Sequence, residues 1–260
     1  MMGLMQIDHT ARIVAAAAFL LVVSAAAAAA GQAAPAPASA PPPPPPRVEG
    51  TGELSFVTTT GNSSTSTVGL GAGVVYRPSA WVIDSKVAFV RTEADSIVNA
   101  RSVTAASRLA RDLSTRVSLF VQYDFLNSPF AGISQRHTVA AGVSYKAVND
   151  AKNTLRLDLG LGAASETPVG LARTSSGTAL GGGAYKWKLS DTSEFTEEAR
   201  IVESLSHGND WRFDNSAALT AKLTTALSLK VSHVTHVVNL PTPGFKRTDT
   251  IASAAIVAKF

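Results

Sequence analysis

From Val48 onward, apolar and polar residues alternate with a period of two, and no helical period is sustained over a long window. Successive side chains of a strand point to opposite faces, so period two is the mark of strands with one apolar and one polar face. Leu155, Leu157, Leu159 and Leu161 alternate with Arg156, Asp158, Gly160 and Gly162. Val117, Leu119, Val121, Tyr123 and Phe125 alternate with Ser118, Gln122 and Asp124. Trp211, Phe213, Ala217, Leu219 and Leu223 oppose Arg212, Asp214, Ser216, Thr220 and Lys222, and Leu227, Leu229 and Val231 oppose Ser228, Lys230 and Ser232. Gly, Pro, Asn, Asp and Ser separate the segments. They predict strands near 48–58, 64–77, 81–92, 98–110, 115–126, 132–147, 154–164, 175–189, 193–204, 211–223, 226–238 and 246–260. Most reach the roughly 9–11 residues that a tilted strand needs to cross a bilayer. The expected fold is all-β, an antiparallel up-and-down transmembrane β-barrel of about 12 strands.

The last segment, Lys246 to Phe260, carries this further. Ala252, Ala254, Ile256, Ala258 and Phe260 share one face, opposite Ser253, Ala255, Val257 and Lys259. An amphipathic strand that stops on an aromatic residue suits an outer-membrane barrel. There it closes the sheet, and Ile256, Ala258 and Phe260 form the signal for the barrel-assembly machinery. The connections also sort into two kinds. Short turns are expected at Arg77–Ala80, Asp112–Ser114, Val148–Asn153, Ser190–Thr192 and Thr224–Thr225. Longer links are expected at Glu93–Ile97, Ser165–Thr174, Leu205–Asp210 and Asn239–Phe245. Short turns belong in the periplasm and longer loops outside, which requires an even number of strands.

A soluble periplasmic β-sheet binding protein would show the same alternation. The aromatics favour the membrane. Tyr76, Trp81, Tyr145, Trp187 and Phe195 sit beside the short turns, whereas Phe125, Phe130, Trp211 and Phe213 sit at the opposite ends. Two such girdles match two membrane interfaces. Phe120 falls on the polar face and His233 on the apolar one, against the pattern.

The N-terminal segment agrees with this address. Arg12 precedes an apolar run, Ile13 to Val23, and then alanines from Ala25 to Ala30. That order predicts a secretory signal peptide over residues 1–30. Residues 31–47 are Ala/Pro-rich and include Pro41 to Pro46, a disordered linker that cannot pack a core. The barrel occupies 48–260. With no cysteine, the chain excludes a lipid-anchored lipoprotein and disulfides. The 23 basic and 19 acidic residues are mixed along the chain, so no basic stripe marks nucleic-acid binding. The expected partners are outer-membrane lipid and the assembly machinery, with no cofactor.

The polar face sets the candidate site. Asp84, Asp124, Asp158 and Asp214 oppose Arg156, Lys186, Arg212, Lys222 and Lys230 in charge, and all are expected to face the lumen. Mixed charges in a narrow wall pair rather than present one polarity, which favours a structural barrel with a largely side-chain-filled lumen. A narrow channel for ions or small solutes is the alternative. Barrel lipases need a serine and a histidine two residues apart on one face. His137, His207, His233 and His236 have no serine at that spacing. Glu197 and Glu198 are adjacent and point to opposite faces, and no metal or phosphate motif is present. No enzyme is expected.

Several stretches also resemble a known family. Gly52-Glu53-Leu54-Ser55-Phe56 runs on to Gly61-Asn62 and through a Ser/Thr-rich strand into Tyr76-Arg77. Tyr185 to Asp191, Ala218 to Leu223 and Lys246 to Thr250 continue the match in order. Together they are similar to the salt-induced outer-membrane proteins, a domain-of-unknown-function family of Gram-negative β-barrel proteins. The resemblance implies an outer-membrane barrel of unassigned activity, linked by name to salt stress, and it implies no catalytic residues.

Overall fold

The computed structural model describes residues 46–59, 65–95 and 97–260. The expected signal peptide and the expected linker up to residue 45 lie outside the described residues. Each alternating segment forms a strand: β1 (Val48–Thr59), β2 (Thr65–Tyr76), β3 (Trp81–Ala94), β4 (Ile97–Asp112), β5 (Val117–Ser128), β6 (Ile133–Asn149), β7 (Asn153–Pro168), β8 (Thr174–Lys188), β9 (Ser193–Ser204), β10 (Trp211–Lys222), β11 (Leu227–Val238) and β12 (Thr248–Lys259). Each pairs antiparallel with its neighbours in sequence, and β12 returns to β1, so these twelve strands form a closed barrel. Closure leaves no unpaired edge, which is what a sheet in lipid requires.

The faces divide as the alternation dictates. Leu119, Val121, Leu157, Leu159, Leu161, Leu219, Leu229 and Val231 are exposed on the outside. The opposite rows carry charges that bond across the interior between strands that are not neighbours, Lys86 of β3 with Glu198 of β9 for instance. A soluble barrel has the reverse arrangement, so this surface belongs against lipid.

The turns between β2 and β3, β4 and β5, β6 and β7, β8 and β9, and β10 and β11 are short. In the β6–β7 turn, the Asp150 carboxylate accepts the backbone N–H groups of Lys152 and Asn153. Burial pushes its pKa up, but these donors outweigh it and hold the carboxyl below its ordinary value. Two of the expected long links differ. Glu93–Ile97 is only a two-residue connection, since β3 runs to Ala94 and β4 starts at Ile97, with Asp95 turning at φ 50°. Ser165–Thr174 joins the ladder at both ends, Ser165 opposite Ser175 and Glu166 opposite Thr174. Extending the ladder pairs backbone groups that a loop leaves to solvent. The remaining link, 169–173, turns at Gly170 (φ 73°), and Val169 N–H donates to Gly132 O at 2.9 Å.

The seam is the shortest ladder. Only Thr51–Leu54 pair in register with Ile256–Lys259, whereas β1 and β2 pair from Val48 to Thr59. Two backbone bonds extend it: Gly50 N–H donates to Phe260 O at 2.7 Å and Phe260 N–H to Gly50 O at 3.0 Å. The Phe260 ring lies over Gly50, in the space that a Cβ there would occupy. Ile256 and Ala258 face Leu54 and Gly52 on the same outer row. Phe260→Asp or Gly50→Leu is therefore expected to cut the heat-modifiable, folded fraction of the barrel sharply. A control change on the outer row away from the seam, Leu161→Ala, leaves that fraction near wild type. Gel mobility of unheated samples measures both.

Candidate functional site in the barrel lumen

Side chains project into the lumen at three levels, with cavities between them. The middle level begins with Phe120, which the alternation puts on the polar face. It is 2% exposed and packs with Ala140, Leu180 and Val202 inside the wall. The ring shares a row with Gly142 and Gly160, and a Cβ on Gly160 would stand 3.3 Å from it. The small residues of β6 and β7 thus make room for an aromatic ring from β5. The Arg108 guanidinium sits 3.8 Å over that ring, a cation–π contact.

Arg108 is also the start of an ion-pair belt. It reaches Asp158 at 3.1 Å and Ser144 Oγ at 2.6 Å, while Arg156 holds the other oxygen of Asp158 at 3.1 Å. Arg200 bridges Asp124 at 2.8 Å and Asp214 at 3.3 Å. His236 Nδ1 donates to the second oxygen of Asp214, at 2.7 Å. Lys86 and Glu198 meet at 3.2 Å from opposite walls. Between these groups remains a cavity of about 210 Å³, which Asp84 also lines.

The level nearest the short turns holds Lys230 on Glu53 at 2.8 Å, Lys186 on Glu194 at 2.7 Å, and Lys222, whose ammonium donates to Asp191 O at 3.4 Å. At the outer level, Arg136 and Arg212 converge on Glu166, at 2.7 and 3.0 Å. Above them is a cavity of about 370 Å³. Two loops from opposite sides of the ring meet over it: Thr242 Oγ1 donates to Gly132 O at 3.1 Å, and the Phe245 ring lies where a Cβ on Gly132 would come within 2.9 Å. Gly132 turns at φ 80°.

Of the nine charges singled out from sequence, all except Asp84 and Lys222 have a side-chain ion pair among the described residues. Sequence reasoning missed Glu53, Lys86, Arg108, Arg136, Glu166, Glu198 and Arg200. Glu198 and Arg200 are two apart and so share a face, which was a usable signal. Arg108 lies in an Ala/Ser/Arg run where both faces look alike. On the outer surface Tyr76, Trp81, Tyr145 and Trp187 are exposed near the short turns, and Phe125 and Phe213 lie half-buried toward the other rim. Trp211 shares Phe213's face but is only 6% exposed. Glu197 faces outward, opposite to Glu198, and accepts a 3.0 Å bond from the Asn215 amide.

An apolar exterior around a charged interior, with every strand paired, defines a transmembrane β-barrel. The chain belongs to the family described as "Protein of unknown function, DUF481", whose model matches residues 52–260. It is similar to the uncharacterized protein YdiY of Escherichia coli (strain K12), 22% identical over 187 residues that cover 71% of this chain and 72% of the relative. Among solved structures, the COG4313 outer membrane channel from Pseudomonas putida F1 superposes over 82% of this chain and 95% of its own, at 12% identity and TM-score 0.48. The NanC porin does so over 82% and 97%, at 8% identity and TM-score 0.44.

The belt's members differ in weight. Asp158 is 8% exposed and compensates two arginines, so Asp158→Ala leaves buried charge and is expected to cost about 3 kcal/mol or more. Lys86 and Glu198 are each 56% exposed, so Lys86→Met costs less than about 1 kcal/mol. Urea unfolding of the refolded barrel measures the contrast.

Proposed function

We propose that this protein is an outer-membrane barrel with a structural role in the envelope, its lumen closed to steady flow at mid-height by cross-barrel ion pairs. One observation carries this proposal: Lys86 with Glu198 links strands on opposite sides of the ring, and Arg200 with Asp124 links strands four places apart, beside the wall-filling Phe120 cluster. Groups of both signs satisfy one another, leaving no single-sign path for an ion to follow. The absence of a serine–histidine pairing at lipase spacing supports a non-enzymatic role. The signal peptide and the aromatic rows support export to the outer membrane, with the C-terminal strand read by the assembly machinery. The family resemblance adds a link to salt stress.

A narrow channel is the second proposal, favoured by one feature of the belt. The Lys86–Glu198 pair is solvated on both sides, and salt screens such pairs, the Debye length falling from about 10 Å at 0.1 M to about 3 Å at 1 M. A passage that loosens with ionic strength would connect this geometry to salt.

Planar-bilayer conductance separates the two. Wild-type barrel is expected to be silent in dilute KCl, and the double variant Lys86→Met/Glu198→Gln to give small discrete steps. Wild-type steps already present in dilute salt would establish an open channel instead. Wild-type steps appearing only at high salt would support the screened gate.

A further inference from the structure

The outer lumen cavity is built differently from the belt below it. Glu166 Oε2 accepts from Arg136 Nε at 2.7 Å and forms an ion pair with Arg212 Nη2 at 3.0 Å, so two guanidinium groups share one carboxylate oxygen. Arg212 also reaches Asp210 at 3.4 Å, through the same Nη2. The arrangement leaves Arg136 Nη2 and Arg212 Nε buried without a hydrogen-bond partner. Buried guanidinium donors left unmade are costly, and few native ones persist without a function or a ligand. Asp214 lines the same cavity but is already taken by Arg200 and His236. Asp249 lies near the rim, with Lys246 beside it in the lining.

The walls above these donors mix polar side chains, among them Thr67, Thr92, Asn99, Arg101 and Thr250, with aliphatic ones. Leu126, Ile133, Val238, Leu240 and Ile251 contribute to them, and the volume of about 370 Å³ falls in the range of small-ligand sites. Guanidinium forks match carboxylates bidentately. We propose that the outer lumen binds a small organic carboxylate. Its anionic end meets the Arg136–Arg212 pair, and its apolar body lies against the aliphatic side chains under the joined loops. Glu166 holds the two arginines together and competes with the ligand for them. This site stands whether or not the lumen conducts.

The test uses para-fluorobenzoate followed by fluorine NMR on the full folded barrel in detergent micelles, with para-fluorobenzyl alcohol as the neutral control for micelle partitioning. Wild type is expected to bind the acid saturably and the alcohol no better than empty micelles do. Arg136→Gln/Arg212→Gln binds the acid about tenfold or more weakly, the loss of one charge-assisted hydrogen bond. Glu166→Gln, which keeps both arginines and frees their donors, binds it severalfold more tightly. Lys222→Gln, at the far end of the lumen, changes nothing. Heat-modifiable mobility shows that each variant is folded, and if the double variant does not fold, the Glu166→Gln result decides. Absence of saturable binding by wild type would overturn the proposal. Equal binding of acid and alcohol would show an apolar cavity without anion recognition, and unchanged or weaker binding by Glu166→Gln would also overturn it.

Discussion

Closure of one hydrogen-bonded ladder is the constraint on which the rest of this molecule depends. In a bilayer an unpaired backbone N–H or C=O has no water to turn to, so the sheet must meet itself. Here the meeting is the short β1–β12 seam, extended by the reciprocal Gly50–Phe260 bonds. Once the ring closes, pleat alternation leaves no choice about faces. One row of every strand looks at lipid and the next looks at its counterparts across a narrow lumen.

That confinement explains the interior chemistry. Charges in the lumen pair, mostly within a strand or between strands a few places apart, and in Lys86–Glu198 with the opposite wall, which a long side chain can reach. Where two arginines meet one aspartate, at Asp158, the bond is buried and stiffening. Where one lysine meets one glutamate in the open, at Lys86–Glu198, it is a weak strut that ionic strength can loosen. The outer level breaks the rule, since its arginines have donors to spare. Among the described residues, the Thr178 hydroxyl is the one other buried side-chain polar atom in that state.

The strands were legible because period two survives almost everywhere that one face meets lipid. The predicted segment 154–164 sits inside β7, and 193–204 matches β9 in full. The two links that shrank, at Glu93–Ile97 and Ser165–Thr174, hold no sustained alternation (Ser165, Glu166 and Thr167 are polar at successive positions), but the ladder still gains by continuing. Within the lumen, Asp158 and Asp214 could be read off clean alternation. Arg108 could not, because the small residues before it blur the faces, nor could Arg136, whose neighbours Gln135 and His137 are polar as well. No sequence rule foretells which charge crosses to which wall. That depends on barrel diameter and stagger, and so Arg200 reaching Asp124, 76 residues away, emerges only from the closed ring. Phe120 is the instructive exception: an apolar residue on the polar face, explained once Gly142, Gly160 and the Arg108 guanidinium surround it.

The most direct test of the inside-out barrel uses the absence of cysteine, which makes every introduced thiol unique. Single cysteines from Leu155 to Ala163 on β7, spin-labelled in the folded barrel in lipid vesicles, report collisions with oxygen, which concentrates in lipid, and with a polar nickel chelate. Leu157, Leu159 and Leu161 are predicted to favour oxygen, with Arg156, Asp158, Gly160 and Gly162 protected from it, in strict alternation. Loss of that period, or oxygen accessibility on the charged row, would contradict a lipid-facing apolar surface around a paired, charged lumen.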